Sequence, residues 1–184
     1  MKLSLVVPCY NEAENVSLFQ QAVMEAFSGC GYDYEIVYVN DGSTDATMHN
    51  LRKLFAAQKC PLKVVNFSRN FGKEAALYAG LSHAAGEYLC FIDADLQQRP
   101  EIVRDMVRIL EEQPEYDVVA AYQQTRSENG VMTFFKSGFY NLINRLSSVK
   151  LRTDASDFRA FRRSVARSIL ELGEYHRFSK GIFA

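Results

Sequence analysis

Short apolar runs alternate with longer amphipathic stretches along this chain. Leu3-Ser4-Leu5-Val6-Val7 reads as a strand stopped by Pro8. Residues 13–28 then place Val16, Phe19, Val23 and Phe27 at helical spacing. Glu35-Ile36-Val37-Tyr38-Val39 predicts a second strand, and 45–58 a helix with Leu51, Leu54 and Phe55 on one face. Leu62-Lys63-Val64-Val65-Asn66 is a third strand, followed by a helix over 73–84 that ends near Gly86. Tyr88-Leu89-Cys90-Phe91-Ile92 is a fourth, continuously apolar and therefore suited to a sheet covered on both faces. Pro100 opens a helix as an N1 proline, with Ile102, Val103, Met106, Val107 and Leu110 facing inward. Asp117-Val118-Val119-Ala120-Ala121 is a fifth strand. Strands separated by helices form a βαβ series, so the expected class is α/β with a mainly parallel sheet flanked by helices.

The pattern changes after residue 125. Segment 131–147 sets Val131, Phe134, Phe135, Phe139, Leu142, Ile143 and Leu146 on one helical stripe. Lys136, Asn141, Asn144 and Arg145 lie opposite. Such a helix either packs on its own core or lies in a membrane interface. Phe158-Arg159-Ala160-Phe161 predicts a short strand and 164–172 a helix.

Charge sharpens this division. The net charge of −1 gives no reason to expect nucleic acid as a partner. Residues 1–125 hold 10 Lys and Arg against 17 Asp and Glu, whereas 126–184 hold 11 against 5. A basic C-terminal third favours anionic partners such as lipid phosphates and an anionic membrane surface. A composition that is 48% apolar and 23% charged describes a folded domain. Four cysteines about thirty residues apart, with no Cys-x-x-Cys, read as reduced thiols. No run of eighteen apolar residues long enough to span a bilayer occurs, and with a strand starting at Leu3 no secretory leader is expected.

The candidate chemistry collects at strand ends. Asp93-Ala94-Asp95-Leu96-Gln97 follows the fourth strand, so two carboxylates reach its C-terminal end. Open α/β sheets bind ligands at that edge. Paired hard oxygen ligands there suit a divalent cation holding a phosphate-bearing substrate. Pro8-Cys9-Tyr10-Asn11-Glu12 and Asn40-Asp41-Gly42-Ser43-Thr44-Asp45 share the same edge. Tyr10 and Asn11 suit stacking on and hydrogen bonding to a nucleobase, and Asp41 suits ribose hydroxyls or a base N–H. The second loop is also simply a good turn, with Ser43 or Asp45 as helix cap. The dinucleotide and phosphate-loop glycine motifs are absent.

These segments, with Ser68-Arg69-Asn70-Phe71-Gly72-Lys73, Ser156-Asp157-Phe158-Arg159 and Arg177-Phe178-x-x-Gly181, resemble the inverting family 2 glycosyltransferases of GT-A fold. The resemblance is greatest to the polyprenyl-phosphate branch, which includes dolichol-phosphate mannosyltransferases. It implies a nucleotide-diphosphate sugar donor, UDP- or GDP-linked, and a polyprenyl-phosphate acceptor, undecaprenyl or dolichyl. It implies that Pro8, Tyr10, Glu12 and Asp41 hold the nucleoside, with Asn11, Lys73 and Ala94 in the donor-binding set. Asp93 would lie near ribose and sugar, and Asp95 with Gln97 would hold Mg²⁺ or Mn²⁺ on the diphosphate. Asp157 falls where the family places its proposed base, and Arg159, Arg177 and Lys180 would bind the acceptor phosphate. One position and one segment depart from the pattern: Gln98 where Asp or His is common, and an Arg-poor Tyr122-Gln123-Gln124-Thr125-Arg126.

The implied organisation is one GT-A domain over 1–184, with 1–125 binding the nucleotide sugar and 126–184 facing acceptor and membrane. Further transmembrane segments are expected beyond Ala184, placing the protein at the cytoplasmic face of the inner membrane, with a second copy of the chain among the expected partners. Rival readings are a family 2 enzyme acting on a saccharide hydroxyl, a non-catalytic nucleotide-sugar-binding module, and a nucleotidylyltransferase. A phosphate acceptor is already mostly ionised near neutral pH. Asp157 is therefore expected to orient Arg159, Arg177 or the metal rather than to remove a proton.

Overall fold

The computed structural model describes residues 2–121 and 157–171. The expected helix 131–147, Tyr122 to Arg126, Ser156, Arg177, Phe178, Lys180 and Gly181 lie outside the described residues. The elements run β1 (Leu3–Cys9), α1 (Asn15–Phe27), β2 (Tyr34–Asn40), α2 (Thr47–Ala57), β3 (Leu62–Asn66) and α3 (Lys73–His83). They continue with β4 (Tyr88–Phe91), α4 (Pro100–Glu112), β5 (Val118–Ala120), β6 (Arg159–Arg162) and α5 (Arg163–Glu171). The described strands form one sheet in the order β3-β2-β1-β4-β6-β5. β1, β2, β3 and β4 are parallel neighbours, while β6 runs antiparallel between β4 and β5.

Alternation along the strands divides the core into two layers. Leu3, Leu5 and Val7 of β1 face one way with Tyr88 and Cys90 of β4. They meet Val16, Phe19 and Val23 of α1 and Val103, Val107 and Leu110 of α4. Val6, Leu89 and Phe91 face the other way, toward Leu77 and Leu81 of α3 and Ala166 and Ile169 of α5. Both faces of the central strands are thus covered, which is why their sequences are almost continuously apolar.

Three details differ from the sequence reading. β1 does not stop at Pro8; it runs to Cys9, with Pro8 in register opposite Val39. The Val6 carbonyl accepts the Ile92 N–H on the β4 side, and the Cys9 carbonyl accepts the Asp41 N–H on the β2 side. Pro8 shares the orientation of Val6, so its missing N–H faces the side that β4 has already left, and costs no ladder bond. Ile102 is exposed, one residue off the buried stripe of Val103, Met106, Val107 and Leu110. Phe55 is also exposed, because α2 packs on the outermost strand, β3.

The N-terminal edge of the sheet is tied by a buried carboxylate. Glu35 accepts the Ser4 hydroxyl at 2.7 Å and the Ala85 N–H at 2.6 Å, and pairs with Lys63 at 2.9 Å. Ser4 Oγ in turn accepts the Gly86 N–H at 2.7 Å. One anion thereby joins β1, β2, β3 and the turn into β4. Burial alone would raise the Glu35 pKa, but the Lys63, Ser4 and Ala85 hydrogen bonds outweigh it and hold it below the usual range. A depressed carboxylate contributes stability that is present above the unfolded value of about 4.3 and is lost as pH falls through the folded pKa. The denaturant midpoint of the native chain should therefore exceed that of Glu35→Gln at pH 7, and the gap should close on acidification below about pH 4. A gap unchanged between those conditions would show that Glu35 is not an ionised anchor.

Candidate active site

Parallel strands deliver their following loops to one edge. β1 and β2 end in register, Cys9 opposite Asn40, and β4 ends beside them. The first two loops are knitted together by their own polar side chains. Asn11, at φ 57°, donates its N–H to Ser43 Oγ at 2.9 Å and accepts the Thr44 N–H on Oδ1 at 2.9 Å. Left-handed backbone of this kind is tolerated by asparagine. The Glu12 N–H donates to the Thr47 hydroxyl at 2.8 Å. Asp45 accepts the Thr47 N–H at 2.9 Å and the Ala13 N–H at 3.1 Å, so it joins the first residue of α2 to the β1 loop; the helix N-cap itself is Ala46, not the expected Ser43 or Asp45. The Asn11 side-chain oxygen Oδ1 is therefore engaged in loop structure, although the sequence placed Asn11 against a nucleobase.

Asp41 extends the same logic to a third loop. It is 3% exposed and accepts the Phe71 N–H at 2.7 Å and the Gly72 N–H at 2.9 Å, one on each oxygen. Two amide donors satisfy a carboxylate that would otherwise be costly to bury. The contact is possible because Gly42 has no side chain. A Cβ there would lie 2.2 Å from the Arg69 carbonyl carbon, and its φ of +63° already favours glycine. The segment before α3 therefore crosses directly over the β2 loop. Lys73, the first residue of α3, is carried to the sheet edge by this crossing.

Lys73 is the centre of charge. Its Nζ lies 2.8 Å from Asp93 Oδ1, 3.0 Å from Asp93 Oδ2 and 3.1 Å from Asp157 Oδ2. Asp157 reaches this point because β6 is antiparallel: its first residue, Arg159, pairs with Phe91, the last of β4. The residues preceding β6 therefore lie at the site edge. Burial pulls the Lys73 pKa down, but the hydrogen bond and charge of Asp93 and the charge of Asp157 more than compensate, and the net shift is upward. Lys73 is thus a fixed cation between two carboxylates.

A cleft of about 340 Å³ opens here, and Pro8, Tyr10, Glu12, Asp41, Lys73, Asp93, Ala94 and Asp95 all line it. Tyr10 is 47% exposed at its rim. Asp95 is exposed and accepts the Gln97 N–H on Oδ1 at 3.0 Å. Among the described residues no three His, Cys, Asp or Glu gather as a ready-made metal cage. The donor set fits a hard cation held by one or two carboxylates and completed by substrate phosphate oxygens.

Most predicted residues therefore converge, but not all. Gln97 is exposed next to the cleft rather than among its walls, and Arg159 is buried at the start of β6. Sequence reasoning overlooked Thr47, whose buried hydroxyl ties loops 35 positions apart, and treated Gln98 only as a departure. A threonine at the start of a helix gives no sequence signal for a long-range partner. Asp41→Asn replaces one accepting oxygen by an NH₂ group facing an amide N–H. It should lower unfolding free energy by about 1–3 kcal/mol in urea titrations. An unchanged value would show that the crossing loops do not depend on this carboxylate.

The chain matches the glycosyl transferase family 2 over residues 4–170. It is 40% identical over 186 residues to the bactoprenol glucosyl transferase of Shigella phage SfV, covering 100% of this chain and 59% of that protein. It is 35% identical to the dodecaprenyl-phosphate galacturonate synthase of Rhizobium johnstonii, covering 97% of this chain and 53% of that protein. The chain thus spans little more than half the length of these curated relatives. Among solved structures, a mannosyltransferase from Pyrobaculum calidifontis in complex with GDP-Man and Mn²⁺ superposes with a TM-score of 0.66 at 24% identity, over 91% of this chain and 46% of that one. The sheet and its flanking helices are those of the GT-A glycosyltransferases. The chain belongs to glycosyl transferase family 2.

Proposed function

We propose that this domain transfers a sugar, with inversion, from a nucleotide-diphosphate sugar to a polyprenyl phosphate. The observation that carries this reading is the convergence of Tyr10, Asp41, Asp93 and Asp95, from three separate strand ends, on one cleft. The names of the relatives supply the acceptor class. Such an acceptor would bring the protein to a membrane, and the excess of Lys and Arg in the sequence of residues 126–184 suits anionic headgroups.

In this reading Tyr10 covers the nucleobase at the rim. Asp41 acts chiefly by holding the crossing loops, and offers its remaining lone pairs to the nucleoside. Asp95 presents carboxylate oxygens for Mg²⁺ or Mn²⁺, which would neutralise charge developing on the departing diphosphate, while Asp93, held by Lys73, lies beside the sugar. An acceptor phosphate oxygen bonds to the anomeric carbon as the bond from that carbon to the diphosphate oxygen breaks. The nucleoside diphosphate leaves with the electron pair.

Lys73 gives Asp157 a role in this step. Two bare carboxylates beside the reacting centre would repel both the diphosphate and the acceptor phosphate. Lys73 offsets them, and Asp157 holds Lys73 in place. A phosphate monoester has a second pKa of about 6, so near neutral pH it attacks without surrendering a proton. A base is then unnecessary, and Asp157 is left to hold Lys73.

The test is transfer of labelled sugar from UDP- and GDP-sugars to undecaprenyl phosphate, with a saccharide acceptor in parallel. Transfer to the lipid alone supports the proposal, and transfer to the saccharide alone overturns it. Asp95→Asn should lower kcat/KM by about 100-fold or more, the scale of losing one charge-stabilising group. Asp157→Asn should lower kcat while both proteins follow acceptor ionisation near pH 6. A native profile flat through that pH, with only Asp157→Asn following it, would make Asp157 the base.

A further inference from the structure

Gln98 closes the loop that carries both site carboxylates. Its Oε1 accepts the Asp93 backbone N–H at 2.9 Å, and its Nε2 donates to Asp93 Oδ2 at 3.3 Å. These two partners, one a donor and one an acceptor, allow only this orientation of the amide. The ring so formed contains Leu96 at φ 62° and the Asp95 turn onto Gln97, and it ends just before Pro100 opens α4. Lys73 binds the same Asp93 carboxylate, so backbone and both oxygens of Asp93 are fixed together.

We propose that Gln98 is a positioning residue for sugar transfer, fixing Asp93 and, through the closed loop, the presentation of Asp95. In this chain the two contacts need a side chain that both donates and accepts at the reach of glutamine. Ionised glutamate keeps the acceptor for the Asp93 N–H but sets a carboxylate against Asp93 Oδ2. Methionine fills the space and offers no strong donor or acceptor. A neutral side chain also leaves the charge of Lys73 to Asp93 and Asp157, with no third carboxylate competing for it. This inference rests on the donor-site reading of the same cleft.

Gln98→Met and Gln98→Glu test it with two readouts on the same proteins. In the ligand-free protein at neutral pH, amide hydrogen exchange at Asp93 should quicken by about 10-fold in Gln98→Met, the factor that corresponds to a hydrogen bond worth roughly 1.4 kcal/mol. In the transfer assay, kcat should fall by about 10–100-fold in Gln98→Met, as for other groups that orient a reacting shell, with a smaller change in acceptor KM. Gln98→Glu should be no better than Gln98→Met. Native exchange at Asp93 in Gln98→Met, or native kcat in Gln98→Glu, would overturn the proposal. If the native protein neither binds nucleotide sugar nor transfers it, the functional reading fails, and the exchange comparison still decides whether Gln98 holds the loop.

Discussion

One ammonium group shared by two carboxylates is the interaction on which this site depends. Lys73 joins Asp93, from the end of β4, to Asp157, from the start of β6. The residues involved are 20 and 84 positions from Lys73 in the chain, so only the assembled sheet brings them together. Like charges held this close need a counter-ion. The cluster nevertheless keeps more negative than positive charge, and Asp95 adds to it on the cleft side. An excess of that sign attracts a divalent cation and disfavours an unaccompanied diphosphate.

The two edges of the sheet solve different problems with similar chemistry. At the N-terminal edge, Glu35 is buried and fully engaged by Ser4, Ala85 and Lys63, as suits a purely structural anion. At the C-terminal edge, Asp41 is equally buried and engaged, yet what it holds is the loop leading into Lys73. Asp93 and Asp95 remain open to the cleft. The edge is thus graded, from a rigid carboxylate inside to accessible ones at the surface. Precise positioning of reacting groups needs such a rigid support.

Much of this was legible in the residues, because apolar runs and helical stripes report directly on packing. The elements from Leu3 to Ala120 were read within a few residues, and Pro100 at the helix start was read from its missing N–H. The exceptions were local. Pro8 continues β1 because its neighbour has ended, and Ile102 and Phe55 sit at the margins of their stripes. The antiparallel insertion of β6 between β4 and β5 was not foreseen, since periodicity shows a strand but not its direction. Within the site, the motif residues were visible as types at loop positions. Their partners were not: Asn11 with Thr44, Asp41 with Phe71 and Gly72, and Gln98 with Asp93 are pairings of the folded chain.

The central claim is that separate loops at one edge of the sheet clasp a nucleotide sugar around a cation. Paramagnetic line broadening by Mn²⁺ in the presence of a UDP- or GDP-sugar tests it residue by residue. The account predicts that amide resonances of Tyr10, Gly72, Lys73 and Asp93 to Gln97 broaden together, only when nucleotide sugar is added, while those of Glu35, Ala85 and Gly86 at the opposite edge stay sharp. Broadening centred on any other surface, or none with either nucleotide, would contradict it.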